Sequence, residues 1–233
     1  MKSVRNLLFF LFIGLFLDTV AYIPPIINAS LVNNKGEFQA ALTYGTAGAE
    51  QYFAYNIDSE LFVYFSSSFT IDTVYNGGDK RKHMFFEGGF GYCTTAGNWV
   101  FSMGGSYGFG QFYNYYSNLI TSSIYDYDNA YLSANNHKFS IQADIGLKKP
   151  FMELIFSNRF AVGHFSSNDS RYKIKNSTIS FFEPGVTLKA GPGKVKFMTQ
   201  FRLGLPLNRL NSDMSYGAIS IGLVLHLGKT KEE

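Results

Sequence analysis

Ten charged residues could act together if the chain places them on one face. Each lies in a segment where it alternates with apolar residues. Opposite charges confined to one interior face would neutralise one another as ion pairs, and losing one partner of such a pair costs roughly 3–5 kcal/mol. The sequence therefore predicts a structural network of charges. Its members are Glu37, Glu87, Asp144, Glu153, Glu183, Lys138, Arg159, Lys189, Lys196 and Arg202.

Positioning these residues requires β-strands, because alternate residues of a strand face opposite sides of a sheet. From Glu37 onward the hydrophobic pattern has a period of two, and no segment shows a convincing helical period. In residues 98–110, for example, Phe101 and Met103 alternate with Ser and Gly, which we expect to leave room for long Arg and Lys side chains from other strands. We predict ten strands, at 37–45, 49–57, 60–71, 83–93, 98–112, 137–148, 151–164, 176–190, 194–205 and 215–227.

Short and long connections alternate between these predicted strands. Such alternation is typical of an up-and-down barrel in an outer membrane, with short periplasmic turns and long extracellular loops. We therefore predict an all-β, antiparallel, up-and-down transmembrane β-barrel of ten strands over residues 37–228, with eight strands as the alternative. The short connections are 58–59, 94–97, 149–150 and 191–193; the long ones are 72–82, 113–136, 165–175 and 206–214, and 46–48 is a short exception among them.

A soluble barrel with its apolar face inward is the competing interpretation. It would present mainly Ser, Gly and Ala to water along the fifth and tenth strands, where soluble proteins usually place Lys and Glu. We therefore assign the apolar face to lipid and the charges to the lumen. Pro184 lies inside the eighth strand, where its missing N–H predicts a bulge or a local break. Phe62 and Tyr64 fall on the inward face and predict that aromatic rings fill part of the lumen.

The N-terminus has the pattern of an export signal. Lys2 and Arg5 precede an apolar run at 7–17, which is too short for a spanning helix and suits a signal peptide. Thr19-Val20-Ala21 fits a cleavage site, with a retained anchor as the alternative. The predicted organisation is a signal peptide at 1–21, a periplasmic N-terminal segment at 22–36, the barrel at 37–228 and a polar tail at 229–233.

The composition excludes several classes of partner. Charged residues make up 16% of the chain, which is below the roughly 25% of soluble domains. A net charge of +3 with scattered Lys and Arg argues against nucleic acid. The single cysteine, Cys93, allows no internal disulfide. Asp126 and Asp128 resemble the start of a calcium loop, but the required Gly and the distant Glu are missing, so we predict neither a metal nor a cofactor.

Both ends of the predicted barrel resemble known outer-membrane sequences. The last strand ends Gly222-x-x-Leu225-x-Leu227, which is similar to the C-terminal assembly signal of outer-membrane barrels. The start has a Tyr-Ile-Pro segment at 22–24, then Asn28, then a Lys-Gly-Glu-x-Gln entry into the first strand at 35–39. With these residues it resembles small outer-membrane β-barrel proteins of Gram-negative bacteria, a family of mostly unknown function. Many of its members carry a lipid-modified Cys where this chain has Ala21, so ordinary signal cleavage is expected. The resemblance implies a bacterial outer-membrane location, contact with outer-membrane lipid and insertion by the barrel-assembly machinery. The matching positions are Tyr22, Ile23, Pro24, Asn28, Lys35, Gly36, Glu37 and Gln39.

A structural or surface-interaction barrel with a lumen closed by charges is the function we expect, and two alternatives stay open. The charged face could line a narrow, weakly selective pore. An outer-membrane protease or lipid-modifying enzyme would need a nucleophile, a base and an orienting group close together. The chain contains residue types that such a site would use, but their spacing does not specify one, and we expect no enzyme. The residues concerned are His83, His137 and His164 near the long loops, with Asp126, Asp128 and Asp169 nearby, and His226 at the opposite end.

The long connection 113–136 is rich in tyrosine among Asn, Ser and Asp. Tyr with small polar residues makes an adaptable binding surface, and tyrosines also form the aromatic girdles of membrane proteins. We assign 113–116 to a girdle. We leave a role in binding an extracellular ligand or protein to Tyr125, Tyr127 and Tyr131.

Overall fold

The computed structural model describes residues 24–27, 34–74, 80–116, 130–167, 177–208 and 217–228. All regular secondary structure in these ranges is β. Within them, no helix is long and apolar enough to cross a membrane. The strands are β1 (Phe38–Gly45), β2 (Gly48–Asn56), β3 (Leu61–Val74), β4 (Lys80–Ala96), β5 (Trp99–Tyr116), β6 (Ala130–Lys148), β7 (Met152–Ser167), β8 (Ser177–Ala190), β9 (Val195–Leu203), β10 (Leu205–Pro206) and β11 (Gly217–Leu227).

The strands form one closed antiparallel barrel. From β1 to β9 each strand pairs with its neighbours along the chain, β9 pairs with β11, and β1 pairs with β11 from Phe38 opposite Leu227 to Gly45 opposite Ser220. β9 and β10 occupy the same place in the wall, between β8 and β11, so the wall has ten strands. The predicted ten-stranded antiparallel barrel is confirmed, and the eight-stranded alternative is wrong.

The gap between β9 and β10 lies beside Pro184. Gly185 pairs with Arg202 and Phe182 pairs with Leu205, so the register is the same on both sides of the gap. Pro184 falls between these pairs and has no N–H to donate to the neighbouring strand. On its other side Pro184 still pairs with Asn158 of β7. The predicted local break is therefore present, without a bulge or a slip of register.

The strand registers fix the tilt of the wall. Following paired residues once around the barrel returns to β1 about 12 residues from the starting point. This stagger in ten strands corresponds to a tilt of about 40°, within the usual range for barrels. Ten residues of a strand tilted in this way rise roughly 25 Å along the barrel axis.

The two ends of the barrel differ in their connections. At one end, here called the short-turn end, the strands are joined by residues 57–60, 97–98, 149–151 and 191–194; Gly97 there adopts a φ of +63°. The other end is called the long-connection end. Its predicted loop boundaries are wrong, because β5 and β6 continue to pair as far as Tyr116 opposite Ala130. Backbone pairing of β5 and β6 continues beyond the residues that alternate between apolar and polar, and this alternation was the basis for predicting where the strands end.

The two faces of the wall have opposite character. Outward positions of every wall strand carry large apolar side chains that are exposed on the barrel surface, such as Leu42, Phe90 and Phe139. Inward positions are buried and largely polar or small. On β5, Phe101 and Met103 face outward, as the alternation predicts.

Aromatic rings occupy the space that the inward glycines leave. A Cβ on Gly108 would lie 2.4 Å from Cζ of Phe85, and one on Gly89 would lie 2.5 Å from Cζ of Tyr64. The expectation that the glycines of β5 make room for Arg and Lys is therefore wrong at Gly108, where a ring fills the gap. Phe62 and Tyr64 are buried inside the barrel, which confirms the predicted aromatic filling.

Candidate functional site in the barrel lumen

Four charged side chains meet midway along the barrel and are called here the central cluster: Glu87, Lys138, Arg159 and Glu183. They come from β4, β6, β7 and β8, and each is at most 2% exposed. Lys138 Nζ lies 3.2 Å from Glu87 Oε2 and 3.7 Å from Glu183 Oε2. Arg159 donates from Nε to Glu183, and its Nη1 lies 3.4 Å from Glu87 Oε1. Two acids and two bases give the cluster no net formal charge.

The surroundings of the central cluster explain why long cations fit there. The Lys138 ammonium lies 5.3 Å from the centroid of the Phe85 ring, a cation–π contact. Ser106 of β5 donates a hydrogen bond of 3.1 Å to Glu87. Ser106 of β5 thus contacts the Glu87 carboxylate directly. Gly108 of β5 leaves space for the Phe85 ring, and that ring contacts Lys138.

A second cluster lies at the short-turn end around Glu153. Its carboxylate accepts a hydrogen bond of 2.7 Å from Lys196 and lies 3.4 Å from the Lys189 ammonium. Lys189 also donates to Gln39 Oε1 at 3.2 Å, and the Tyr52 hydroxyl donates to the same oxygen at 2.6 Å. The Glu153 carboxylate therefore faces two ammonium groups, those of Lys189 and Lys196. The neutral amide oxygen of Gln39 gives Lys189 a second hydrogen-bond acceptor.

Glu37 closes this cluster toward the mouth of the barrel. The Lys148 ammonium lies 3.5 Å from its Oε1. His226 stands between the two acids, with Nδ1 at 3.8 Å from Glu37 and Nε2 at 3.7 Å from Glu153. The predicted members Glu37, Glu153 and Lys196 are thus brought together. Lys148 and His226 join them from strand ends, where alternation alone assigns no partner.

Glu50 is a lumen acid that sequence reasoning missed. It is 1% exposed, and its Oε1 accepts a hydrogen bond of 2.5 Å from Arg202 Nη2. Both faces of β2 carry aromatics, with Tyr52 inward and Phe53 outward, so the pattern did not show which face is the lumen. The later strands, whose outward faces are consistently apolar, give a clear signal.

Asp144 lies in the lumen but forms no ion pair among the described residues. It accepts a hydrogen bond of 2.7 Å from Ser102 and bonds of 2.8 and 3.0 Å from the Gln142 amide. The hydrogen-bond partners of Asp144 named here are therefore neutral. Asp144 belongs to the charged lining, as predicted, without belonging to the network of pairs.

The chain ahead of β1 contributes a segment to the lumen. Residues 22–36 are predicted to form a periplasmic N-terminal segment, and the part of it that the structure describes next to the lumen, Pro24–Ile27, lies inside the barrel. Three side chains of the wall bind all four of its carbonyl groups. Arg202 Nε donates to Pro24 at 2.7 Å, Arg159 donates to Pro25 at 3.1 Å and Ile26 at 3.4 Å, and Gln200 donates to Ile27 at 3.1 Å.

The two isoleucines of Pro24–Ile27 are packed as tightly as core residues. Ile26 is 1% exposed and joins a buried cluster that includes Tyr52, Phe62 and Met198. Ile27 is fully buried, and its N–H donates to Gln200 Oε1 at 3.0 Å. A Cβ on Gly185 would lie 2.5 Å from Cδ1 of Ile27, so this glycine gives the isoleucine its space. The lumen is therefore filled by side chains and by a segment of backbone together.

The histidines do not converge. His137 and His164 lie opposite each other on β6 and β7 and face outward, bonded to Tyr107 and Thr178. His83 stacks against Phe85, and His226 lies at the other end of the barrel. Of the residues considered for surface binding, Tyr125 and Tyr127 lie outside the described residues. Tyr131 lies in β6 opposite Tyr115. Asp126, Asp128 and Asp169 also lie outside the described residues.

An apolar groove of about 760 Å³ crosses the wall from β4 to β8. It surrounds Gly88 and Gly105, and its large side chains, such as Phe90, Phe139 and Phe160, are outward residues.

Within the described ranges, no group of three or more His, Cys, Asp or Glu is arranged to hold a metal ion. The chain matches no model of a known protein family and no curated protein.

Proposed function

We propose that the protein is a membrane-spanning β-barrel of a bacterial outer membrane, with a closed lumen and a structural or surface-interaction role. One observation carries the proposal: the wall is apolar outside and charged inside. Exposed Leu42, Phe90 and Ile141 stand outside, whereas the fully buried Arg159 and Arg202 stand inside. A water-soluble protein rarely exposes so continuous an apolar surface. A transmembrane barrel alternates apolar-out with polar-in along every strand.

A soluble carrier barrel would have the reverse arrangement. It would keep an apolar cavity for its ligand and a polar exterior. Here the interior holds the central cluster, the Glu50–Arg202 pair and the group around Glu153, and each charged side chain in them contacts at least one opposite charge. The same compensation argues against a conducting pore, because the charges bind one another instead of facing an open path.

Aromatic residues lie near both ends of the outer face. Tyr55, Tyr92 and Trp99 are exposed toward the short-turn end, and Tyr44 and Tyr113 toward the long-connection end. Two aromatic girdles about an apolar band are typical of barrels in membranes. In this proposal the short turns are periplasmic and the long connections are extracellular. The long connections offer the surface for a partner, and the chain is not an enzyme.

A matched pair of arginine substitutions tests the membrane proposal. Ile141 is 61% exposed near the middle of β6, and Ile57 is 52% exposed in a short turn. Arginine at a mid-membrane position of a barrel costs roughly 2–4 kcal/mol, and near the interface about 0–1 kcal/mol. We therefore expect Ile141→Arg to lower stability in lipid vesicles while Ile57→Arg does not. Equal stability of the two variants, or solubility of the parent without detergent, would contradict a membrane-spanning wall.

Permeation of the same vesicles tests the closed lumen. We expect no leakage of a small sugar from vesicles that contain the full chain. Leakage that persists after deletion of residues 117–129 would instead support the pore. Leakage that depends on those residues would place the permeation path at the long-connection end.

A further inference from the structure

We propose that the lumen contains a binding site for an extended, proline-containing peptide, and that Pro24–Ile27 occupies this site as a displaceable plug. The proposal goes beyond the membrane role, because it concerns what the interior recognises. It rests on contacts between the wall and the backbone of the segment.

The site recognises backbone carbonyl groups. Arg159, Gln200 and Arg202, from β7 and β9, donate to four successive carbonyls. An extended segment without internal hydrogen bonds leaves its carbonyls free for such donors. Prolines suit the site further, because Pro24 and Pro25 bring no N–H that the lumen would have to satisfy. A peptide of this kind is therefore the ligand class that fits.

The segment is bound to the wall without being part of it. Pro24–Ile27 belongs to no strand, and the β1–β11 ladder closes the barrel independently of it. Both arginines keep a carboxylate partner when the carbonyls are ignored: Arg159 contacts Glu183 and Glu87, and Arg202 contacts Glu50. Both arginines thus remain charge-compensated when the segment leaves, and the β1–β11 ladder stays intact.

A full-length variant with a weakened plug tests exchange at the site. In Ile26→Asp, a carboxylate replaces a side chain that is 1% exposed against Tyr52 and Phe62. The matched control is Ile57→Asp, the same substitution at an exposed turn. The probe is a fluorescent synthetic peptide with the sequence of residues 22–28, and its all-D form controls for apolar stickiness.

We expect the L-peptide to bind folded Ile26→Asp in detergent at least tenfold more tightly than it binds the parent or Ile57→Asp, and the D-peptide not to bind. Absence of binding to folded Ile26→Asp would overturn the proposal. Equal binding to all three proteins would overturn it too, since it would report a site outside the lumen. This readout needs no membrane, so its outcome is separate from the test of the membrane role.

A second measurement covers the case in which Ile26→Asp does not fold. In a Cys93→Ser background, Ile27→Cys places a thiol on the segment at a fully buried position. We expect excess L-peptide to speed labelling of this thiol several-fold by displacing the segment. A labelling rate unchanged by the peptide would show that the segment does not exchange, and the proposal would fail.

Discussion

Replacing Arg159 by methionine perturbs the centre of the lumen most severely. Lys138 alone would then compensate both Glu87 and Glu183, so one buried carboxylate would lose its partner. Removing one partner of a buried pair costs about 3–5 kcal/mol, and the loss of donors to two carbonyls adds roughly 0.5–1 kcal/mol each. We expect the free energy of unfolding to fall by about 4–7 kcal/mol. Methionine keeps most of the side-chain volume, so cavity formation contributes little.

The assay is urea unfolding in detergent micelles, followed by fluorescence. Trp99 is the single tryptophan and lies outward at the start of β5, remote from the substitution. A double variant, Arg159→Met with Glu183→Gln, removes the uncompensated charge and should recover at least about 2 kcal/mol of the loss. The network interpretation is refuted if the single variant unfolds within roughly 1 kcal/mol of the parent, or if the double variant is no more stable than the single.

Four further variants probe the lumen and the wall. Asp144→Asn should leave the urea midpoint unchanged or raise it, because Asp144 has no ion pair among the described residues. Glu153→Gln should lower the urea midpoint, because Lys189 and Lys196 would lose their carboxylate partner. A lower midpoint for Asp144→Asn than for Glu153→Gln would contradict the assigned contacts. Pro184→Ala should supply the missing donor to the ladder and give a slowly exchanging amide at 184 by hydrogen exchange, and a fast-exchanging amide there would place the cause of the gap elsewhere. Gly108→Val should lower the thermal midpoint, because a Cβ there meets the Phe85 ring; an unchanged midpoint would mean that the ring moves aside freely.

The sequence predicts the wall better than its contents. Apolar residues at every second position identify the outward face of strands such as β5, because the exposed outward positions of these strands are occupied largely by apolar side chains. Interior positions obey a weaker rule, since Ser, Gly, Phe and Arg can all fill a lumen. That is why Glu50 was missed on a strand with aromatics on both faces. Gly108 was predicted to make room for a cation, but its space is filled by Phe85.

The position of Pro24–Ile27 lies beyond what pattern can show. A four-residue segment with two prolines has no period, and nothing local distinguishes a linker from a plug. Its partners Arg159, Gln200 and Arg202 are 133 or more residues away along the chain. Only the closed wall brings them to the same place. Pro184, by contrast, was interpretable from sequence, because the loss of one N–H acts on its own strand.

Depth-dependent quenching of fluorescence tests the central claim most directly. In a Trp99→Phe background, tryptophan is placed either at Met103, which is 63% exposed on the outer face, or at Phe85, which is 3% exposed in the lumen. The proteins are reconstituted into vesicles whose acyl chains carry bromine. The account predicts strong quenching of the tryptophan at 103 and little quenching of the one at 85. Equal quenching at both positions, or none at 103, would contradict a barrel whose apolar wall meets lipid around a filled, charged lumen.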